Sequence, residues 1–289
     1  MPASFNGVVG LRPSPGRVAR GSRLPAFDTL WVEGPMARCV SDVALMLDGL
    51  VGGSPQDPLA FEDVGSTFTE QLESTRLPRK VGFSPDLGIV PMEPEVSEVC
   101  ADAAERFAEL GADVHHACPD FSGVIEAFQT LRALLIADMM EPILDSHREE
   151  IAPEIIWNIE KGLAVTSDEL RDAERIRRQI YYRIVSYFED YDLLLCPAVS
   201  VPPFPMEQRY VEVIAGQKSQ TYIDWIAITF AVTMTSCPAL SLPVGLTASG
   251  LPIGLQVIGR PRGEADLLRA CYRMEEVFGM APYVPLDPR

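Results

Sequence analysis

Apolar residues recur in two patterns along the chain, and the two patterns predict its elements. At three- and four-residue spacing, Val96, Val99, Cys100, Ala103, Phe107 and Leu110 form a stripe on a helix over residues 94–110. Pro94 suits its first turn and Gly111 its end. Leu170, Ala173, Ile176, Ile180, Ile184 and Phe188 mark another helix, which begins near Ser167-Asp168-Glu169. Its opposite side carries Arg171, Glu174, Arg177 and Arg178, a solvated face. Between these stripes, Leu131-Leu135-Met139 and Ile155-Ile156-Ile159 centre two more helices, so residues 121–191 read as helical throughout.

The second pattern is the short run. Leu193-Leu194-Leu195-Cys196, closed by Pro197, is uniformly apolar, which is how a strand buried on both faces reads. Residues 80–83 and 113–116 are strand-like and flank the helix at 94–110, a βαβ arrangement that predicts parallel strands. Val8, Val9 and Leu11 form an opening strand between Asn6-Gly7 and the turn Pro13-Ser14-Pro15-Gly16. A loop rich in turn residues fills 21–34. Ser41-Asp42 predicts the cap of a helix over 43–50, stopped by Gly52-Gly53. A helix over 222–235, a strand pair and a helix over 264–278 complete the chain. No linker divides it. The expected fold is α/β: a mixed, largely buried sheet flanked by helices.

At 289 residues the chain can bury a large core. Its 24 Lys and Arg against 41 Asp and Glu leave a formal charge of −17, which disfavours nucleic acid and anionic membrane as partners. No apolar run reaches membrane-span length. Neither a basic segment nor an apolar one follows Met1-Pro2, so the expected location is cytoplasmic. Six cysteines without CxxC spacing read as reduced, mostly buried thiols.

Candidate chemistry is sparse. His115-His116-x-Cys118 holds metal-ligand types, but neighbouring strand residues face opposite ways, so no metal site is expected. His147 lies in the acidic run Asp145-Ser146-His147-Arg148-Glu149-Glu150, and no G-x-S-x-G elbow accompanies it. Pairs such as Glu149/Glu150 and Glu275/Glu276 suit exposed helix faces. The three lysines are Lys80 at a strand start, Lys161 on a helix and Lys218 in a polar loop.

Two stretches carry a resemblance. Pro2-Ala3-Ser4-Phe5-Asn6-Gly7-Val8-Val9-Gly10-Leu11-Arg12-Pro13-Ser14-Pro15-Gly16-Arg17-Val18 is the first. The second runs Cys237-Pro238-Ala239-Leu240-Ser241-Leu242-Pro243-Val244-Gly245, then Gly250-Leu251-Pro252-Ile253-Gly254-Leu255-Gln256-Val257-Ile258-Gly259-Arg260-Pro261. In this order they resemble the amidase signature family, serine hydrolases of amides, over essentially the whole chain. The resemblance implies a Ser, cis-Ser and Lys mechanism: the amine deprotonates the bridging serine, which deprotonates the nucleophile, and backbone amides of a glycine-rich loop hold the oxyanion. It needs no metal and no organic cofactor. The family's Gly-Gly-Ser-x-Arg run directly precedes the segment that starts here at Pro2, and no lysine of this chain matches the family's position. The expectation is therefore one partial domain, 1–289, truncated at its N-terminus, with no catalytic residue of its own and no activity alone. Gly53-Ser54-Pro55 imitates the nucleophile loop but sits at a helix exit before proline.

By match of motif, the pocket wall would comprise Trp225, Ile226 and Thr229 on the helix and Pro197, Ala198 and Val199 on the loop. Ordinary core packing explains Trp225 and Ile226 equally well. Ile226 stands where tRNA-dependent amidotransferases of the family place an acidic residue, which favours an apolar or aromatic amide. The expected partner is a small-molecule amide, and uncovered sheet edges and apolar faces imply aggregation or a homo-oligomer. The rival reading is a non-catalytic remnant that at most binds small molecules or a partner.

Overall fold

The computed structural model describes residues 1–21, 25–62 and 65–279. Ser22, Arg23 and Leu24 of the early loop lie outside the described residues. In chain order the elements are α1 (Pro2–Phe5), β1 (Val9–Arg12), β2 (Met36–Ala37), α2 (Val40–Leu50), α3 (Phe68–Gln71), β3 (Lys80–Phe83), α4 (Pro94–Glu105) and β4 (Asp113–His116). Then come α5 (Val124–His147), α6 (Pro153–Leu163), α7 (Ser167–Asp190), β5 (Leu193–Pro197), β6 (Val213–Ile214), β7 (Gln217–Lys218), α8 (Ala227–Thr233), β8 (Ala239–Leu246), β9 (Pro252–Ile258) and α9 (Glu264–Phe278).

Seven strands form one mixed sheet in the order β2-β1-β8-β9-β5-β3-β4. β3 runs parallel to both β4 and β5, as the βαβ spacing predicts, while the other pairings are antiparallel. The apolar run at 193–196 has the cause inferred from its pattern. Leu193 and Leu195 pack with α2, α4 and α9 on one face, and Leu194 and Cys196 pack with α5, α7 and α8 on the other. All five residues of β5 are buried. No helix among the described residues is long and apolar enough to cross a membrane.

Helix boundaries depart from the pattern in instructive ways. α2 starts at Val40, before Ser41, and no side chain of its own caps it. The Ser41 hydroxyl instead meets Cys39 Sγ at 3.2 Å. The cap is supplied from α9: both carboxylate oxygens of Glu275 accept from the Val40 amide, at 3.0 and 3.1 Å. At the head of α7, Thr166 and Glu169 form a reciprocal capping box. Leu170, counted in the stripe of that helix, is exposed, whereas Ala173, Ile180, Ile184 and Phe188 are buried. The helix expected over 222–235 is a short tight turn, Asp224–Ile226, followed by α8.

A buried ion pair fastens the opening segment to the last helix. Arg17 Nη2 and Glu264 Oε2 are 2.9 Å apart, and Glu264 is fully enclosed. Its other oxygen accepts from the Ser14 amide at 2.8 Å. Arg262 N donates to Ser14 Oγ, closing the link from the far side. A charge held this way costs most when one partner is removed, because the other is left buried.

Two stability outcomes follow. Glu264→Gln lowers the unfolding free energy by about 3–5 kcal/mol, measured by urea denaturation. Asp168→Asn, which breaks the exposed pair with Arg171, changes it by less than about 1 kcal/mol. Equal effects would deny the buried pair its role. Glu275 gives a pH dependence, because burial pushes its carboxyl up from 4.5 to about 7. A folded-state value above the unfolded one means that its contribution is complete below pH 4.5 and is lost as pH rises through 7. Glu275→Gln is therefore relatively more stable, compared with the parent chain, at pH 8 than at pH 4.5 by thermal melting. A pH-independent difference contradicts this.

Candidate functional site

The site predicted from the sequence lies where the end of β5, the start of α8 and α1 meet. Gly254 of β9 joins them: its carbonyl accepts from the Ala198 amide at 3.0 Å, and its amide donates to Ser4 Oγ at 3.0 Å. Only glycine fits there. A Cβ would fall 2.7 Å from Ser241 Oγ and 2.8 Å from Ser4 Oγ.

Each predicted wall residue has a definite place. Pro197 closes β5 opposite Leu255, and Ala198 and Val199 follow it, all three buried. Thr229 Oγ1 donates to the Ala198 carbonyl at 2.7 Å, which ties α8 to this loop. Trp225 is buried; its Nε1 donates to the Tyr222 carbonyl at 3.0 Å. Its ring stacks on Phe5 at 6.0 Å and takes the Phe204 ring edge-on at 5.2 Å. Ile226 is half-buried between this aromatic group and the α5–α7–α8 core. The structure thus gathers Trp225 and Ile226 with Met1 and Phe5, and Thr229 with Ala198. The side chains of residues 197–199 are packed inside and do not face an open space.

An open cleft of about 230 Å³ adjoins this cluster, bordered by Gln129, Ile214, Lys218 and Asp224. Gln129 and Asp224 of its lining belong to a connected polar set that extends behind it. Lys161 Nζ donates to Gln129 Oε1 at 2.8 Å, and Gln129 Nε2 donates to Thr221 Oγ1 at 3.3 Å. Asp224 accepts from the Gln220 and Thr221 amides at 2.7 and 2.8 Å. Burial lowers the Lys161 amine, while Asp224 and Glu169 oppose that shift. Sequence reading missed Gln129, Asp224 and Tyr222. Asp224 left one signal, a helix-start acid directly before Trp225.

Nucleophilic machinery is not assembled here. Among the described residues no serine hydroxyl hydrogen-bonds a lysine amine. His147 Nδ1 meets Ser146 Oγ at 2.7 Å, but on an exposed helix end. Catalysis by such a pair needs an orienting group and oxyanion donors as well. His115 and His116 diverge as strand neighbours must, His115 against Tyr191 and His116 against Phe83. No group of His, Cys, Asp and Glu able to hold a metal occurs among the described residues. All six cysteines are free thiols, four of them buried.

Residues 1–268 match the family profile described as Amidase. The chain belongs to the amidase signature family. Among its curated relatives is an acylamidase of Rhodococcus erythropolis, 30% identical over 290 residues, which span 99% of this chain and 61% of that protein. Another is a glutamyl-tRNA(Gln) amidotransferase component of Moorella thermoacetica, 31% identical over 299 residues, 95% of this chain and 60% of that protein. The crystal structure of a bacterial aryl acylamidase of the amidase signature family superposes with a TM-score of 0.88 at 25% identity. That match covers all of this chain and 62% of the other. The chain therefore spans about 61% of the length of the relatives it matches.

Proposed function

We propose that this chain is the C-terminal portion, a single partial domain, of an enzyme that hydrolyses a linear carboxylic amide to its acid and ammonia or an amine. The nucleophilic serine attacks the amide carbonyl, and its proton passes through the relay serine to the lysine. The C–N bond then breaks as nitrogen takes a proton, and water cleaves the acyl-serine. All three groups lie outside residues 1–289 in this reading, and the chain alone is inactive. The supporting observation is the aromatic cluster: Trp225, Ile226 and Phe204 close around Met1 and Phe5, the segment that the family places directly after its nucleophile.

An apolar or aromatic acyl group suits this wall better than an amino-acid side-chain amide. Ile226 offers no charge, and Asp224 is committed to the amides of Gln220 and Thr221. The charge of −17 disfavours nucleic acid and anionic membrane as partners, and in this reading the substrate is a small molecule and the location cytoplasmic.

Self-association belongs to the same reading. Among the described residues, the two-residue strand β2 pairs with β1 and carries no further strand, and Met36, Leu45, Met46 and Leu50 are exposed nearby. Unpaired edges and contiguous apolar surface favour association.

Ammonia release from benzamide by the 289-residue chain stays at the buffer rate. Turnover abolished by a serine-directed phosphonate would overturn the inactivity. In sedimentation velocity the chain runs larger than a monomer, and Leu45→Lys with Met46→Lys shifts it toward monomer. A monodisperse parent monomer contradicts that part of the reading.

A further inference from the structure

A second cavity, of about 510 Å³, opens between the end of β1, residues 30–32 and α5, and Arg132 in its lining bonds Tyr222 beside the Trp225 cluster. Its walls are apolar: Phe128, Leu135, Ile136 and Met139 of α5 on one side, Leu30 and Trp31 on the other. Two guanidiniums, Arg12 and Arg132, enter this lining, and no acidic side chain does among the described residues. In a chain with 41 carboxylates, that exclusion is a specific feature of this surface. A small-molecule site of ordinary size is mostly apolar with a few placed polar groups, which is the arrangement here.

Arg12 is the informative residue. Among the described residues it donates only to backbone carbonyls of Cys237, Thr29 and Leu30, at 3.4, 3.4 and 3.5 Å, the long limit for such bonds. Asp28 is the carboxylate whose charge acts on Arg12, but it is already committed. It accepts from Arg20 at 3.3 Å and from the Leu30 and Trp31 amides at 3.1 and 2.9 Å. Arg20 also holds the Trp31 carbonyl at 2.8 Å, so the loop carrying this wall is set in place. Arg177, bonded to the Thr29 hydroxyl, adds a further positive charge facing Arg12. Burial drives the Arg12 guanidinium down to about 10. By contrast Arg132 is well satisfied, donating to Asn158 Oδ1 at 2.5 Å and Tyr222 Oη at 2.9 Å.

We propose that this cavity binds an apolar carboxylate, with the carboxyl group on Arg12 and the alkyl or aryl body against α5, Leu30 and Trp31. A planar guanidinium with weak carbonyl contacts has donors to spare, and a carboxylate matches them in two parallel bonds. Arg132 and Arg177 supply the surrounding positive field. The inference goes beyond amide hydrolysis and holds whether or not the chain takes part in it.

Titration calorimetry of the full chain with octanoate, 1-octanol and octylammonium tests it, since none of the three carries an amide bond. Octanoate binds a single class of sites at least about tenfold more tightly than octanol, and octylammonium does not bind. Arg12→Gln removes the preference for acid over alcohol. Ile136→Glu, which leaves Arg12 in place and adds a carboxylate to the wall, abolishes octanoate binding. Melting curves confirm that each variant is folded; the ligand comparison on the parent chain decides the matter if one is not. Octanol binding as tightly as octanoate, no octanoate binding at millimolar concentration, or an unaltered preference in folded Arg12→Gln would overturn the proposal.

Discussion

A strand enclosed on both faces can be neither amphipathic nor exposed, and that constraint on β5 organises the molecule. Leu193 and Leu195 are claimed by the α2–α4–α9 layer, Leu194 and Cys196 by the α5–α7–α8 layer. Both layers therefore depend on the same four side chains. Each loses packing on both sides if β5 moves, because interiors this dense transmit displacement. Burial also suppresses the thiolate form of the enclosed cysteines: the Cys237 thiol is pushed up to about 12, and the Cys196 and Cys100 thiols are raised further. The ends of β5 are fixed by polar contacts. Asp192 accepts from the Arg79 and Lys80 amides at one end, and Ala198 bonds Gly254 at the other.

From that anchored end the candidate site follows. Because Pro197 terminates the strand, the chain turns out of the sheet at Ala198. Thr229 then pins the turn to α8. Gly254 brings α1 against the same place, so residues from the beginning, middle and end of the chain converge on one cluster. What converges is shape and apolar surface, with a polar network of Lys161, Gln129 and Asp224 alongside. In the proposed reading these groups position a substrate. Amide hydrolysis also needs a nucleophile and an oxyanion hole, which in the proposed reading come from groups outside residues 1–289.

Much of the architecture was legible because period and burial are linked locally. β5, the β3–α4–β4 unit, α7 and the β8–β9 pair each carry their evidence within a dozen or two residues. What could not be read depends on groups far apart in sequence. The cap of α2 comes from Glu275, 235 residues away, so Ser41-Asp42 misled the expected start. Leu170 fits the apolar spacing of α7 but lies in its first turn, beyond the reach of the core. The two-residue strands β2, β6 and β7 have no pattern long enough to register. For the candidate site, the resemblance nominated Trp225, Ile226, Thr229 and the loop at 197–199 as a pocket wall. It could not show that Ala198 and Val199 are packed inside, or that Gln129 and Asp224 border the open cleft.

Native-state hydrogen exchange across β5 and both helical layers is the most direct measurement of the shared dependence on this strand. If one enclosed strand binds the two layers into one unit, the amides of Leu194 and Leu195 exchange only through global unfolding. Those of α4 and α7 then share the same opening free energy and the same dependence on urea. Exchange of α5, α7 and α8 through a separate, lower-energy opening, with β5 still protected, would contradict that account.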